Sequence, residues 1–244
     1  MPSFIIPIND NRIDRLKACI ANIREYFDNS EIVIAKQDDN YLFKRGQLIN
    51  LAVPKTKHHL LVFQDVDMRW LRRIDIREIM LEINQPYIPF DSIMQFDEYD
   101  DKLVFRSYMN DKRFSTGGVN VFMREQFYAV NGFSNIPVGW GCEDCIMAYR
   151  VNPEFPYPQM QRIRNVIGHI FHEAKFKNVS EMPWHKYNYQ ARQTEKQRDK
   201  TLDGISQTEA DEIGCLDFDG CKVYLFKNIR YSDDFAYKDL VYKP

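Results

Sequence analysis

Three short stretches of this chain concentrate side chains able to hold a metal ion or move a proton. Gln64-Asp-Val-Asp67 follows the apolar run Leu60-Leu-Val-Phe63, Val138-Gly-Trp-Gly-Cys-Glu-Asp-Cys145 sets two carboxylates after a glycine-flanked indole, and Gly168-His-Ile-Phe-His172 carries two imidazoles. On a regular strand Asp65 and Asp67 would face one side. At a strand end the backbone turns, so one carboxylate can reach a divalent ion while the other reaches a ribose hydroxyl or a structural partner. Hard oxygen ligands suit Mg²⁺ or Mn²⁺, which neutralise a diphosphate, and imidazole beside carboxylate moves the preference toward Mn²⁺. Each segment alone also has an ordinary reading, as a solvated loop, a pair of surface histidines or a helix cap. Their order in one chain points to metal-assisted group transfer from a nucleotide-linked substrate.

Gly139 and Gly141 around Trp140 permit an unusual turn and close ligand approach, and an indole in a loop can stack on a sugar face. Glu143 and Asp144 then fall at a helix N-terminus, where the macrodipole favours the ionised form. An ionised carboxylate can take a proton from an attacking hydroxyl. The other reading is simple helix capping with Trp140 in the core. Cys142 and Cys145 form a Cys-x-x-Cys, but Cys215 and Cys221 do not supply the second close pair of a zinc site. His58 and His59 are assigned to a solvated loop.

The elements that must position these residues alternate between strand and helix patterns. Phe4 to Ile8, Glu31 to Ala35 and Leu60 to Phe63 read as buried strands. Ile13, Leu16, Ile20, Ile23 and Phe27 form the stripe of an amphipathic helix, and a second helix spans Phe43 to Val53. This alternation predicts an α/β sheet with helices on both faces. In such sheets ligands bind at the C-terminal strand ends. From about Pro86 to Asn120 the pattern is shorter and strand-like, and Arg124 to Val130 and Glu143 to Val151 read as helices. Residues 185 to 213 are polar with helical character. Lys222 to Phe226 and Ala236 to Tyr242 read as short strands that form a terminal hairpin or extend the sheet edge.

At 244 residues and 44% hydrophobic content, the chain can bury one sizeable core. A formal net charge of −2 excludes a general basic field for nucleic acid. Five cysteines without scaffold spacing predict a reducing, cytoplasmic setting, peripheral at a membrane at most. No apolar run reaches bilayer length.

Several segments in order resemble the β-1,4-galactosyltransferase family of metal-dependent GT-A glycosyltransferases. Phe43-Lys-Arg-Gly-Gln-Leu-Ile-Asn50 is similar to the family's Phe-Asn-Arg-(Ala/Gly)-Lys-Leu-Leu-Asn, and Leu61 to Asp67 to its Asp-Val-Asp strand. Gly117-Gly-Val, Gln126-Phe127, Asn131-Gly-Phe133 and Gly139-Trp-Gly-Cys-Glu-Asp144 follow its signature. Gly168-His-Ile-Phe171 also resembles the metal segment of polypeptide N-acetylgalactosaminyltransferases. The likeness runs from about residue 4 to 172. Departures include Lys44 for Asn, Cys142 for Gly, the looser Pro7 to Arg12 segment, and Ser115-Thr116 in place of two aromatics.

The resemblance implies a GT-A fold with a Rossmann-like mixed sheet flanked by helices, and a catalytic domain over 1–184. A helical or hairpin extension over 185–244 would pack on that domain. It implies a UDP-sugar donor, Mn²⁺ (or Mg²⁺) as cofactor, and a glycan or glycolipid acceptor. Asp144 would be the base, with Glu143 orienting the acceptor and Trp140 and Gly141 lining its site. Pro7, Arg12, Gln37, Phe43, Arg45, Asp65, Val66, Ser115, Gly117 and Gly118 would contact the donor, Phe43 and Arg45 at the uridine. Asp67, His169 and His172 would hold the metal. The opposing expectation is a sugar-binding or nucleotide-sugar-binding module without catalysis.

Overall fold

Apolar runs with almost no polar interruption form the first three strands: β1 (Pro2–Ile8), β2 (Glu31–Gln37) and β3 (Leu60–Gln64) are buried nearly end to end. Burial on both faces is what a central parallel strand requires. The computed structural model describes residues 1–39, 41–91, 94–99, 102–108, 117–139, 141–153, 160–163, 166–172, 188–189, 192 and 204–230. Between the first strands run α1 (Leu16–Tyr26) and α2 (Arg45–Ala52). Leu16, Cys19, Ile20 and Ile23 face the core from α1. Ile13 does not join that stripe. It lies in a separate 3-10 turn over Asp10–Arg15 and is 45% exposed.

Past β3 the chain turns into β4 (Met68–Trp70), α3 (Ile76–Ile83) and β5 (Tyr87–Ile88). It continues through β6 (Met94–Tyr99), β7 (Lys102–Tyr108), β8 (Val119–Met123), α4 (Arg124–Ala129) and α5 (Glu143–Val151). The last strands are β9 (Gln161–Arg162), β10 (Ile167–Ile170), β11 (Glu209–Phe218) and β12 (Cys221–Arg230).

Among the described residues the strands form two sheets. The larger has the order β11-β12-β2-β1-β3-β8-β5-β9, and the smaller β4-β10-β6-β7. The larger is mixed: β12, β2, β1 and β3 are parallel, while β8 runs antiparallel to β3. An aromatic cluster seals the β3–β8 side, with the Phe63 ring 4.9 to 5.7 Å from those of Phe122, Phe127 and Phe133. Each such ring contributes roughly 1.5–3 kcal/mol on burial.

The C-terminal region departs in part from the helical expectation. Residues 209–213 open β11, a strand paired to β12 and exposed along much of its length. The strand expected over Lys222 to Phe226 is present within β12 and both closes the hairpin and extends the sheet beside β2. Ala236 to Tyr242 lies outside the described residues.

Candidate active site

The carboxylate pair sits where β3 ends and the chain reverses. Met68 N–H donates to the Asp65 carbonyl at 3.0 Å, and Asp65 N–H donates to the Gly118 carbonyl at 2.8 Å. That turn separates the two side chains. Val66 between them is buried.

Asp67 points toward β10. The strand pairs antiparallel with β4, setting His169 opposite Met68, and Ile170 N–H donates to the Asp67 carbonyl at 2.8 Å. Asp67 Oδ2 lies 3.2 Å from His172 Nε2 and 3.8 Å from His169 Nε2. Arg12 Nη1 donates to the same oxygen. Burial works against charge on Asp67, but the His172 hydrogen bond, with the charges of His169, Arg12 and His172, holds its carboxyl well below the usual range. Burial pushes His169 below its ordinary value, and neutral imidazole is the form that ligates metal.

The donor set fits a divalent transition ion. One ligand atom each from Asp67, His169 and His172 lies within 4.8 Å of the others. A buried carboxylate with two imidazoles suits Mn²⁺ better than Mg²⁺. His169 Nδ1 is buried without a hydrogen-bond partner among the described residues.

Asp65 points the other way, to Arg45 at the start of α2. Arg45 is only 5% exposed, and donates through Nε to Asp65 Oδ1 at 2.5 Å and through Nη1 to Asp144 Oδ1 at 2.9 Å. Burial pushes Asp65 up to about 6, against the pull of Arg45, and the charges of Asp67 and Asp144 add to the rise. Gly117 lies against Asp144, in a position where an added Cβ would overlap Oδ2. Glu143, buried at the first position of α5, is pushed up to about 8 by desolvation and by the Asp144 carboxylate. Its Oε2 has no partner among the described residues. Burial thus opposes the ionised form expected for Glu143 at the helix N-terminus, and it favours retention of the proton, which would let the carboxyl donate as well as accept.

The loop before α5 is held by residues that the motifs did not single out for a role. Gln47 Nε2 donates to the carbonyls of Asn135 at 2.5 Å and Pro137 at 3.2 Å. Asn50 Nδ2 donates to the Phe133 carbonyl at 2.8 Å, and its Oδ1 accepts from Phe133 N–H at 2.9 Å. Asn188 does the same farther along, accepting from Val138 N–H at 3.1 Å and donating to the carbonyls of Val138 at 2.8 Å and Gly141 at 3.0 Å. Buried amides bonded to loop backbone satisfy groups that water cannot reach. The spacing of Gln47 and Asn50 within the Phe43 to Asn50 segment was the available signal; a single asparagine in a polar stretch gave none for Asn188.

Of the remaining donor-site expectations, Pro7 lies in β1 opposite Ala35. Gln37 is buried and bonds the connection that leads to Phe43. Gly118 has φ +94°, a conformation open to glycine, with Met68 packed against it. Gly141 has φ +110°, and a Cβ there would meet nothing within 4 Å among the described residues. Ser115 and Trp140 lie outside the described residues. Cys142 and Cys145 are thiols, and His59 is exposed, paired with Glu125 at 2.7 Å.

The mixed sheet with its flanking helices is a GT-A glycosyltransferase fold. The catalytic domain of Drosophila beta1,4-galactosyltransferase 7 in complex with xylobiose superposes with a TM-score of 0.65 at 18% identity, covering 96% of this chain and 94% of that one. A mutant of the same Drosophila enzyme, in complex with manganese, UDP-Gal and xylobiose, gives 0.62 at 17% identity with the same coverage. The family described as the N-terminal domain of galactosyltransferase matches residues 104–174. Beta-1,4-galactosyltransferase 1 of Mus musculus is 28% identical over 150 residues, 58% of this chain and 34% of that protein. The chain thus spans about a third of that relative's length. The resemblance read from the motifs is to this family of galactosyltransferases.

Proposed function

We propose that this chain is a Mn²⁺-dependent inverting glycosyltransferase that moves a hexose or N-acetylhexosamine from a UDP-sugar to a hydroxyl of an acceptor glycan or glycolipid. The observation that carries this reading is the buried Arg45, which ties Asp65 to Asp144 beside the Asp67, His169 and His172 cluster. A module that only binds sugar has no need of a positioned base next to a metal-ligand set.

Asp67, His169 and His172 would hold the ion, which when bound supplies positive charge to the diphosphate leaving group. Phe43 and Arg45 serve the uridine end, with Pro7, Arg12, Gln37, Val66, Gly117 and Gly118 around the donor. Arg45 fixes Oδ1 of Asp144, leaving the carboxylate to accept the proton of the acceptor hydroxyl. The hydroxyl oxygen then bonds to the anomeric carbon as the bond from that carbon to the phosphate oxygen breaks. The electron pair leaves with UDP, and the configuration inverts. Glu143, whose carboxyl burial biases toward the protonated form, orients the acceptor by hydrogen bonding, and Trp140 and Gly141 line its site. The catalytic unit is residues 1–184, with 185–244 as an extension packed on it.

The likeness to galactosyltransferases favours galactose as the donor sugar. Serine at position 115 is smaller than the aromatic of the resembling family, which would permit an N-acetyl group on the donor sugar, so UDP-GalNAc should be used at least as well as UDP-galactose. A cytoplasmic setting, peripheral at a membrane, suits a glycolipid acceptor. No described helix is long and apolar enough to cross a membrane.

The test is turnover with a panel of UDP-sugars and acceptors in Mn²⁺, with the product's anomeric configuration read by NMR. Asp144→Asn keeps the side chain's shape but loses the proton acceptor. It should retain donor binding while transfer falls by roughly a hundredfold or more. Product of retained configuration, or near-normal transfer by the variant, would remove Asp144 from the base role.

A further inference from the structure

Lys44, the departure from the family's Phe-Asn-Arg, has its explanation in the far C-terminal part of the chain. Its Nζ donates to the carbonyl of Ile229 in β12 at 2.5 Å. Burial depresses its ammonium relative to an ordinary lysine, while the charge of Asp39 works to hold the proton. An asparagine at position 44 is too short to make this reach. Asp39 makes a second tie: its Oδ2 accepts from Asn228 N–H at 3.2 Å, and its Oδ1 from Gln37 Nε2 at 2.7 Å and Tyr41 N–H at 3.1 Å. A third runs along the backbone, where Asp38 N–H donates to the Phe226 carbonyl at 2.9 Å.

The connection between β2 and α2 is therefore fastened to β12 on one side. On the other, Gly139 N–H donates to the Phe43 carbonyl at 2.8 Å. Gln37 braces it from within, accepting from Lys44 N–H at 2.9 Å and donating to the Leu42 carbonyl at 3.2 Å. Phe43 and Arg45, the residues proposed for the uridine end, flank Lys44 in sequence; Phe43 is partly buried against the core, and Arg45 reaches Asp65 and Asp144. β12 is itself anchored, pairing with β11 over its length and with β2 from Lys222 to Phe226.

We infer that Lys44 and Asp39 are positioning residues through which the β11–β12 hairpin holds the β2–α2 connection in shape for a uridine nucleotide. The inference rests on the proposed UDP-sugar site and gives the C-terminal hairpin a function in it. A connection fixed before the ligand arrives loses less conformational freedom on binding, so the effect falls on donor affinity and not on the chemical step.

The experiment uses the full chain with UDP and Mn²⁺ as the probe. Calorimetry measures UDP affinity for the wild type, Lys44→Met, Lys44→Arg, Asp39→Asn and the Lys44→Met/Asp39→Asn double variant. Hydrogen exchange follows residues 38–44, and thermal melts monitor folding. Lys44→Met should weaken UDP by roughly tenfold, the order expected for losing a hydrogen bond to a charged group. Its exchange in 38–44 should rise, and kcat at saturating donor should stay within about twofold of wild type. Lys44→Arg should keep most of the affinity. Asp39→Asn should weaken UDP in the same direction, and the double variant less than additively, because both residues act on one connection.

Unchanged UDP affinity in both folded single variants overturns this inference and leaves the proposed function standing. The same holds for a fall in kcat that matches the loss of melting temperature. A wild type that does not bind UDP in Mn²⁺ overturns the proposed function and this inference together.

Discussion

Gly117 approaches Asp144 so closely that a methyl group on its Cα would overlap the carboxylate Oδ2. Position 117 thus sets where the proposed base can stand, although glycine has no side chain to contribute. In Gly117→Ala the clash is with the far end of one side chain, so Asp144 should rotate away while the fold persists. Misplacing a catalytic group by about an ångström costs on the order of a hundredfold. Transfer should fall by that order, with the melting temperature close to wild type. Full activity in a folded Gly117→Ala protein would show that the Asp144 position does not govern the reaction.

The metal cluster gives a prediction that can be read without turnover. Mn²⁺ should enhance UDP binding strongly, and Asp67→Ala should abolish the enhancement while leaving the weak metal-free binding. Asp67 is also the buried carboxylate facing Arg12, His169 and His172, so its removal leaves those groups without the anion they surround. The metal-free variant should therefore also melt lower than wild type. Equal UDP affinity with and without Mn²⁺ in the wild type would dispose of the site.

Much of this arrangement was legible in the residues, and the exceptions have physical causes. Buried strands such as Leu60 to Gln64 announce themselves because two covered faces demand an unbroken apolar run. The residues after such a strand fall at its C-terminal end, so Asp65 and Asp67 could be placed. Which aspartate faces the histidines was not readable from their spacing. The Asp65–Met68 turn decides that, and partners from residues 45 and 169–172 fix it. Ile13 matched the helical stripe by interval alone; the backbone winds as a 3-10 turn there and sends the residue to solvent. Residues 209–213 read as helical because an edge strand exposed on both faces has no strong alternation. Their pairing comes from β12 through backbone groups, which sequence pattern does not encode.

Glu143 predicts a pH dependence. Its carboxyl is raised from an ordinary value of 4.5 to about 8. Between these values the unfolded chain releases the proton while the native protein keeps it, so the native state binds more protons and stability falls as pH rises. The contribution is full below pH 4.5 and lost through about pH 8, with a slope of at most about 1.4 kcal/mol per pH unit for one proton. Urea titrations of metal-free protein at pH 5, 6.5 and 8 should show the decline. Glu143→Gln, which cannot ionise, should flatten it. An identical slope in the variant would assign the decline to other groups.

Cys142 offers the last test, and its effect should be on stability. The resembling family has glycine here, and the cysteine adopts φ +75° at the N-cap of α5. A side chain in that left-handed region costs roughly 1–2 kcal/mol, which glycine does not incur. Glycine also gives the unfolded chain more freedom, worth roughly 0.5–1 kcal/mol in the opposite direction. Cys142→Gly should therefore stabilise the protein by a net of about 0.5–1 kcal/mol, observed as a higher urea midpoint with an unchanged m-value. Cys142→Ala keeps the Cβ and its strain but removes the sulfur, so it should give no such gain. A rise in the alanine variant equal to that in glycine would trace the effect to the thiol, which burial and the neighbouring Cys145 already push up to about 12. A lower midpoint for Cys142→Gly would show that the left-handed cap is not where strain is stored.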